Sequence, residues 1–259
     1  MYAKLASRSL IAASLVLAST LAYADSDADC SALPTQAQLR NALKAAQSDP
    51  AGNGGFGLHM WGTIVNRDGV VCAVAFTGAD RGSEWPGSRV ISAQKANTAN
   101  AFSLPGLALS TANLWAAVQP GGSLYGLQHS NPVDTETAYK GPSAKFGTAT
   151  DPMVGEKIGG INVFGGGLAL YNSNHVLVGG IGVSGDTSCA DHNIAWRTRH
   201  TLNLDFVPGG VGLAARPDNI NYQGLVPVPS LRNDFSHPIC AIAGVDGVSA
   251  ISAALPPTQ

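Results

Sequence analysis

The chain has 259 residues, a formal net charge of −2 at pH 7, 31 glycines, and only 12% Asp, Glu, Lys and Arg. That charge content is about half the usual share, and nothing in it gathers into the basic surface that nucleic-acid binding requires. The length suits one large domain or two small ones, and sparse charge with many small residues suits closely packed elements, within one chain or between copies of it.

Residues 1–24 read as a secretory signal peptide. Lys4 and Arg8 make a short basic start, residues 10–21 are apolar, and Ala22-Tyr23-Ala24 gives the small-x-small pattern before Asp25. The apolar run is too short to span a bilayer comfortably, and no later segment reads as a membrane span. Cleavage near Ala24 implies an exported protein, periplasmic or secreted.

The first predicted helix starts at Thr35, which has capping-box spacing to Gln38, and continues through Leu39, Leu43 and Ala46. Asp49-Pro50 and the glycines of 52–55 end it. LHMWGTIVNRDGVVCAVAFTG then reads as a β-hairpin around Arg67-Asp68-Gly69, with residues 70–76 apolar on both faces. A polar loop over residues 80–87 leads to a second helix, RVISAQKANTANAF, capped by Ser88. Ser110 can cap a third, TANLWAAV, before Pro120-Gly121-Gly122.

Residues 129–157 show no periodicity, and a loop that long inside a compact domain is usually functional or mobile. INVF, LALY and VLVGGIGV read as strands, with a turn at 172–174. A last helix starts at Asp186 or Thr187 and runs to about Leu204. Beyond Asp205 the chain is rich in Pro and Gly and reads as an extended tail over the domain, residues 205–259. The order is helix, two strands, two helices, up to three strands, helix.

The four cysteines are Cys30, Cys72, Cys189 and Cys240. An even count in an exported chain points to disulfides, and the absence of CxxC pairs disfavours zinc-ribbon and thioredoxin-like readings. The expected pairs are Cys30–Cys72 and Cys189–Cys240, each tying an extension to the core.

GVSGDTSCADHNIAWRTRH, residues 182–200, carries the densest chemistry. It is not a nucleophile elbow, because the glycine after Ser184 comes one residue too early for G-x-S-x-G. Ser184 and Asp186 more simply satisfy the start of the helix, with anion contact there as the alternative. Cys189-x-x-His192 has too few companions for a closed zinc site. At helical spacing, Ala190, Ile194, Ala195 and Leu202 form a core face. His192, Trp196, Arg199, His200 and Asn203 form the opposite stripe, which could grip a planar acidic ligand or face solvent or another subunit. On the second helix, Lys95 lies in a stripe with Ile91, Thr98 and Phe102. It either snorkels to water or meets a carboxylate or a metal centre.

K-A-x-T-A at residues 95–99, the glycine triplet of GGGLALYNSNHVLVGGIGVSG and the helix ADHNIAW occur in this order. In this combination the chain resembles the GlcG/HbpS family, the haem-degrading or DUF336 family, over roughly residues 39–204. The resemblance implies an α/β protein with a single three-layer α/β/α domain, a central antiparallel sheet of profilin-like form, over residues 25–204. It implies a homo-oligomer, and haem as a cofactor of some members. Lys95, Thr98, Gly182, Ser184, Gly185 and Asp191 match the family motif.

The implied function is an exported haem-binding protein, in haem sensing or handling. The alternative is an enzyme or binding protein for a small organic acid or aromatic compound, with the 129–157 loop as lid. A third is a structural or partner-binding domain without a ligand. The expected ligand-binding residues are Lys95, Thr98, Ser184, Asp191, His192, Trp196, Arg199 and His200. His192 or His200 is the expected axial ligand of the haem iron, with Lys95 as the alternative.

Overall fold

The computed structural model describes residues 29–223, 233–240 and 247–259. The expected signal peptide at 1–24 lies outside the described residues. Helix α1 (Gln36–Gln47) begins with both halves of the capping box: Thr35 Oγ1 accepts from Gln38 N–H, and Gln38 Oε1 accepts from Thr35 N–H at 2.8 Å. Strands β1 (Trp61–Asn66) and β2 (Val71–Phe76) form the hairpin, and helix α2 (Ser88–Ala101) follows. Strands β3 (Gly167–Tyr171) and β4 (Leu177–Ser184) complete a four-stranded antiparallel sheet in the order β2-β1-β4-β3.

Between α2 and β3 lie the one-turn helices α3 (Leu127–Ser130) and α4 (Thr135–Ala138). After β4 come α5 (Ser188–Thr201), a parallel pair of two-residue strands β5 (Asn221–Tyr222) and β6 (Ser236–His237), and α6 (Val248–Ala253).

Three layers result. Helices α1 and α5 cover one face of the sheet and α2 the other. On the first face Leu39, Leu43, Ile64, Leu170, Ile181, Ile194 and Trp196 share one core cluster; on the second, Trp61, Val65, Val74, Val90 and Ala96 share another. Alternation along β1 sends successive side chains to opposite faces. The second interface is very close. A Cβ at Gly182 would run into the Ser92 carbonyl oxygen, and Thr63 Oγ1 lies 2.7 Å from Ser92 Oγ across it. The glycines of LVGGIGVS and the small residues of α2 are thus two halves of one close contact.

Two predicted elements differ. INVF, residues 161–164, is not a strand: Ile161 N–H donates to the Asn131 carbonyl and Asn162 N–H to Thr98 Oγ1, so its backbone bonds to a loop and a helix side chain. TANLWAAV forms two 3-10 turns, Thr111–Leu114 and Ala116–Val118, instead of one α-helix. The Ala117 carbonyl accepts from Leu124 N–H, where a continuing helix would bond it to residue 121.

The aperiodic stretch 129–157 is packed against the sheet. Ala138 and Met153 enter the core cluster of Trp61 and Val90, and residues 155–156 bond to Val71 at the edge of β2. Disulfides join Cys30 to Cys72 and Cys189 to Cys240. The second ties the chain beyond α5 back to the start of that helix. Among the described residues no helix is long and apolar enough to cross a membrane.

Candidate functional site

The motif residues around Lys95 form a bridge through the sheet. Lys95 belongs to α2 and Asp191 to α5, on opposite faces, yet Lys95 Nζ lies 2.7 Å from Asp191 Oδ2 and donates to the Val183 carbonyl at 3.0 Å. Neither side chain is more than 3% exposed. The contact passes beside Gly166, whose φ is +115°; a Cβ there would run into the Val183 carbonyl and stand 3.1 Å from Lys95 Nζ. The glycine triplet therefore leaves room for the ion pair.

Asp191 Oδ1 also accepts from Asp186 N–H at 2.9 Å, which fixes the turn into α5. Burial raises the Asp191 pKa to about 6 against the opposing pull of Lys95. Thr98 Oγ1 donates to the Gln94 carbonyl and accepts from Asn162 N–H, and Ser184 is buried opposite Trp61 at the end of β4. Lys95 and Asp191 are thus brought into contact, while Thr98 and Ser184 are buried beside other partners.

The α5 stripe meets the chain's own C-terminal extension. His192 is fully buried; its Nε2 lies 3.1 Å from Asn219 Oδ1 and 3.2 Å from Ile220 N. Burial pushes its pKa down to about 3, so the ring is neutral. Trp196 Nε1–H donates to the Pro256 carbonyl at 2.9 Å. Arg199 is held by both oxygens of Asp218, donates to the Ala169 carbonyl at 3.0 Å, and stacks on Trp196 at 4.7 Å. His200 Nδ1 lies 2.7 Å from Asp205 Oδ2 at the rim.

His192, Trp196 and Arg199 of the expected ligand-facing stripe thus face the chain itself, while the His200 side chain stays 39% exposed at the rim. His192, Trp196 and Arg199 are sealed under residues 216–222 and 248–256, and His200 is engaged by Asp205. No local pattern announced this, because the covering residues lie 19 to 60 positions further along. Among the described residues no three His, Cys, Asp or Glu side chains gather as a metal cluster.

A cavity of about 740 Å³ lies on the α2 face instead. Trp61 of β1 and Val90 of α2 line it. The 80–87 loop forms one wall, and Tyr139, Ser143 and Phe146 from the aperiodic segment form the other. Arg89 stacks on Phe146 at 3.7 Å, donates to the Ala138 carbonyl at 2.8 Å, and is gripped by both oxygens of buried Asp151. This pins the segment to α2. Trp61 is 1% exposed, and its indole N–H has no partner among the described residues. Arg81 is exposed and has no ion pair or hydrogen bond of its side chain there.

Beside the cavity, Glu84 is buried, accepts from Gly78 N–H, and has its pKa raised by that burial. His59 is exposed, with Nδ1 3.2 Å from Thr77 Oγ1. The polar loop and the aperiodic segment are visible in the sequence; their meeting with Trp61 is not, because only the fold brings these residues together.

The model of the family described as "Haem degrading protein HbpS-like" matches residues 35–199. Two solved structures are similar. A crystal structure of a PduOC:heme complex is 24% identical, covers 65% of this chain and 91% of its own, and has a TM-score of 0.43. The Klebsiella pneumoniae protein ORFY, of DUF336, is 24% identical, with 65% and 90% covered and a TM-score of 0.42. No curated protein matches the sequence. The matched span runs from the cap of α1 to the last turn of α5 and includes the whole sheet. It covers more than half of the chain, which belongs to the HbpS-like family.

Proposed function

We propose that the protein is an exported haem-binding protein, acting in haem sensing or handling outside the cytoplasm. Residues 1–24 are its signal peptide, 25–204 its ligand-binding domain and 205–259 an extension, of which residues 216–222 and 248–256 lie over α5. The observation that carries the reading is the HbpS-like match across residues 35–199, a family described as haem-degrading. Haem is a flat apolar ring with two carboxylates and an iron, so a site needs apolar walls, cations or N–H donors, and an axial ligand. The cavity fits the first two needs: aromatic walls from Tyr139 and Phe146, and an unpaired Arg81. Its size lies within the range typical of small-molecule sites.

Two disulfides within the described residues support an oxidising compartment, and hence export. Low charge content and the family resemblance favour a homo-oligomer, which light scattering at micromolar concentration tests. The test of the function is an optical titration of the mature protein with hemin. A saturable Soret shift supports the reading, and a spectrum that is the sum of free hemin and protein rejects it.

A second reading shares the cavity. The free Arg81 and the aromatic walls would also suit a small organic acid or aromatic compound, with the 129–157 loop as lid. Native mass spectra of the purified protein separate the two by the mass of what is retained.

A further inference from the structure

We infer that the cavity between the 80–87 loop and residues 139–146 is the haem seat, with the Tyr139 phenolate as axial ligand of ferric iron and Arg81 as a propionate contact. This rests on the haem-binding reading above and names its site. Three independent features of the cavity point the same way.

The first is its supply of donors for carboxylates. Helix α2, 14 residues long, starts at the cavity with Gly87 as its cap, no side-chain cap bond and no acidic residue in its first turn. A helix start of this kind favours negative charge. The only basic side chain of that turn, Arg89, is neutralised by Asp151. Arg81 on the facing loop has no partner to give up, so its guanidinium is free for a carboxylate.

The second is its aromatic wall: Phe146, held over the Arg89 guanidinium at 3.7 Å, stands with Tyr139 across from the 80–87 loop.

The third is the choice of iron donor. Among the lining side chains, only Tyr139 and Asp80 carry oxygens that commonly bind ferric iron. Asp80 turns its carboxylate back onto Gly82 N–H at 2.7 Å, within its own loop. Tyr139 is 57% exposed, and its hydroxyl makes no hydrogen bond among the described residues. Tyrosinate is an established axial ligand of ferric haem. On binding, the phenol proton passes to water and the oxygen bonds to iron; no electron is transferred. Phe146, held against Arg89, supplies a rigid aromatic wall.

The experiment is hemin titration of the mature protein and of Tyr139→Phe, Arg81→Gln and Phe146→Ala, with Tyr125→Phe as an exposed tyrosine outside the cavity. Circular dichroism checks the fold of each. Resonance Raman of the ferric complex reads the tyrosinate-to-iron charge-transfer signature directly. The expected result is that this signature is present in the wild type and in Tyr125→Phe and absent in Tyr139→Phe, whose affinity falls at least about tenfold. Arg81→Gln is expected to weaken binding by about tenfold without removing the signature. If the wild type binds hemin but Tyr139→Phe and Arg81→Gln match it in spectrum and affinity, the seat is elsewhere and the haem-binding reading stands. If the wild type shows no saturable shift, both are overturned.

Discussion

Lys95 and Asp191 arise from helices on opposite faces of the sheet and meet at 2.7 Å beside Gly166. The ion pair is a rivet through the three layers. Breaking a buried pair by removing one partner leaves the other charge uncompensated and costs about 3–5 kcal/mol. Lys95→Met and Asp191→Asn are each expected to lose that much stability in denaturant unfolding. The double variant is expected to lose less than the sum. Gly166→Ala adds strain at φ +115° as well as a clash, about 1–3 kcal/mol from the backbone alone. Additive losses in Lys95→Met/Asp191→Asn would show that the two residues act separately.

The C-terminal extension makes stability depend on acid. His192 and His237 are buried, and burial lowers their pKa values from 6.5 to about 3 and about 4. Each contributes stability that is present above pH 6.5 and lost as pH falls toward its folded value. Asp191, raised to about 6, works in the opposite sense: its contribution is complete below 3.8 and lost as pH rises through about 6. Glu84, whose pKa burial also raises, acts in the same sense as Asp191, so between pH 4 and 6 stability should rise with pH by no more than about 1.4 kcal/mol per unit. In His237→Gln the slope should fall by about 1.4 kcal/mol per pH unit. Unfolding curves at several pH values check this, and an unchanged slope in the variant contradicts it.

The Cys189–Cys240 bridge closes a loop of 51 residues. In the chain-entropy account such a loop is worth about 4 kcal/mol. Cys189→Ser/Cys240→Ser is expected to lose stability on that scale, and limited proteolysis should then cut within residues 205–259 first. Unchanged protection of that stretch would mean that Arg199–Asp218 and Trp196–Pro256 hold it without the bridge.

Arg89 and Asp151 hold the cavity wall in place. Both are buried, and the guanidinium also supports Phe146 and the Ala138 carbonyl. Asp151→Asn is expected to cost about 3–5 kcal/mol. It should also speed amide exchange over residues 138–153 before the rest of the domain. Uniform acceleration across the sheet would contradict a local role.

Much of the frame was legible in the sequence because its causes are local. The Thr35–Gln38 box starts α1, Arg67-Asp68-Gly69 turns the hairpin, and the small residues of α2 match the glycines of β4. INVF failed because apolar β-branched composition does not provide a strand partner, and its N–H groups found Asn131 and Thr98 instead. The polar stripe of α5 looked like a ligand face because His192, Trp196 and Arg199 are the right chemical types. Their partners, Asp218, Asn219 and Pro256, belong to a segment without periodicity, so only the fold shows that the stripe is filled. The cavity has the same character: Trp61, Arg81 and Tyr139 are far apart in the chain and share no motif.

The central claim is that the protein carries haem, and its most direct measurement is the absorption spectrum of protein purified from the compartment to which it is exported, with mass analysis of any retained ligand. The expected result is a Soret band and a haem mass, or a haem-free protein that takes up added hemin to saturation. A protein that retains no haem and shows no saturable Soret shift with hemin would contradict the account.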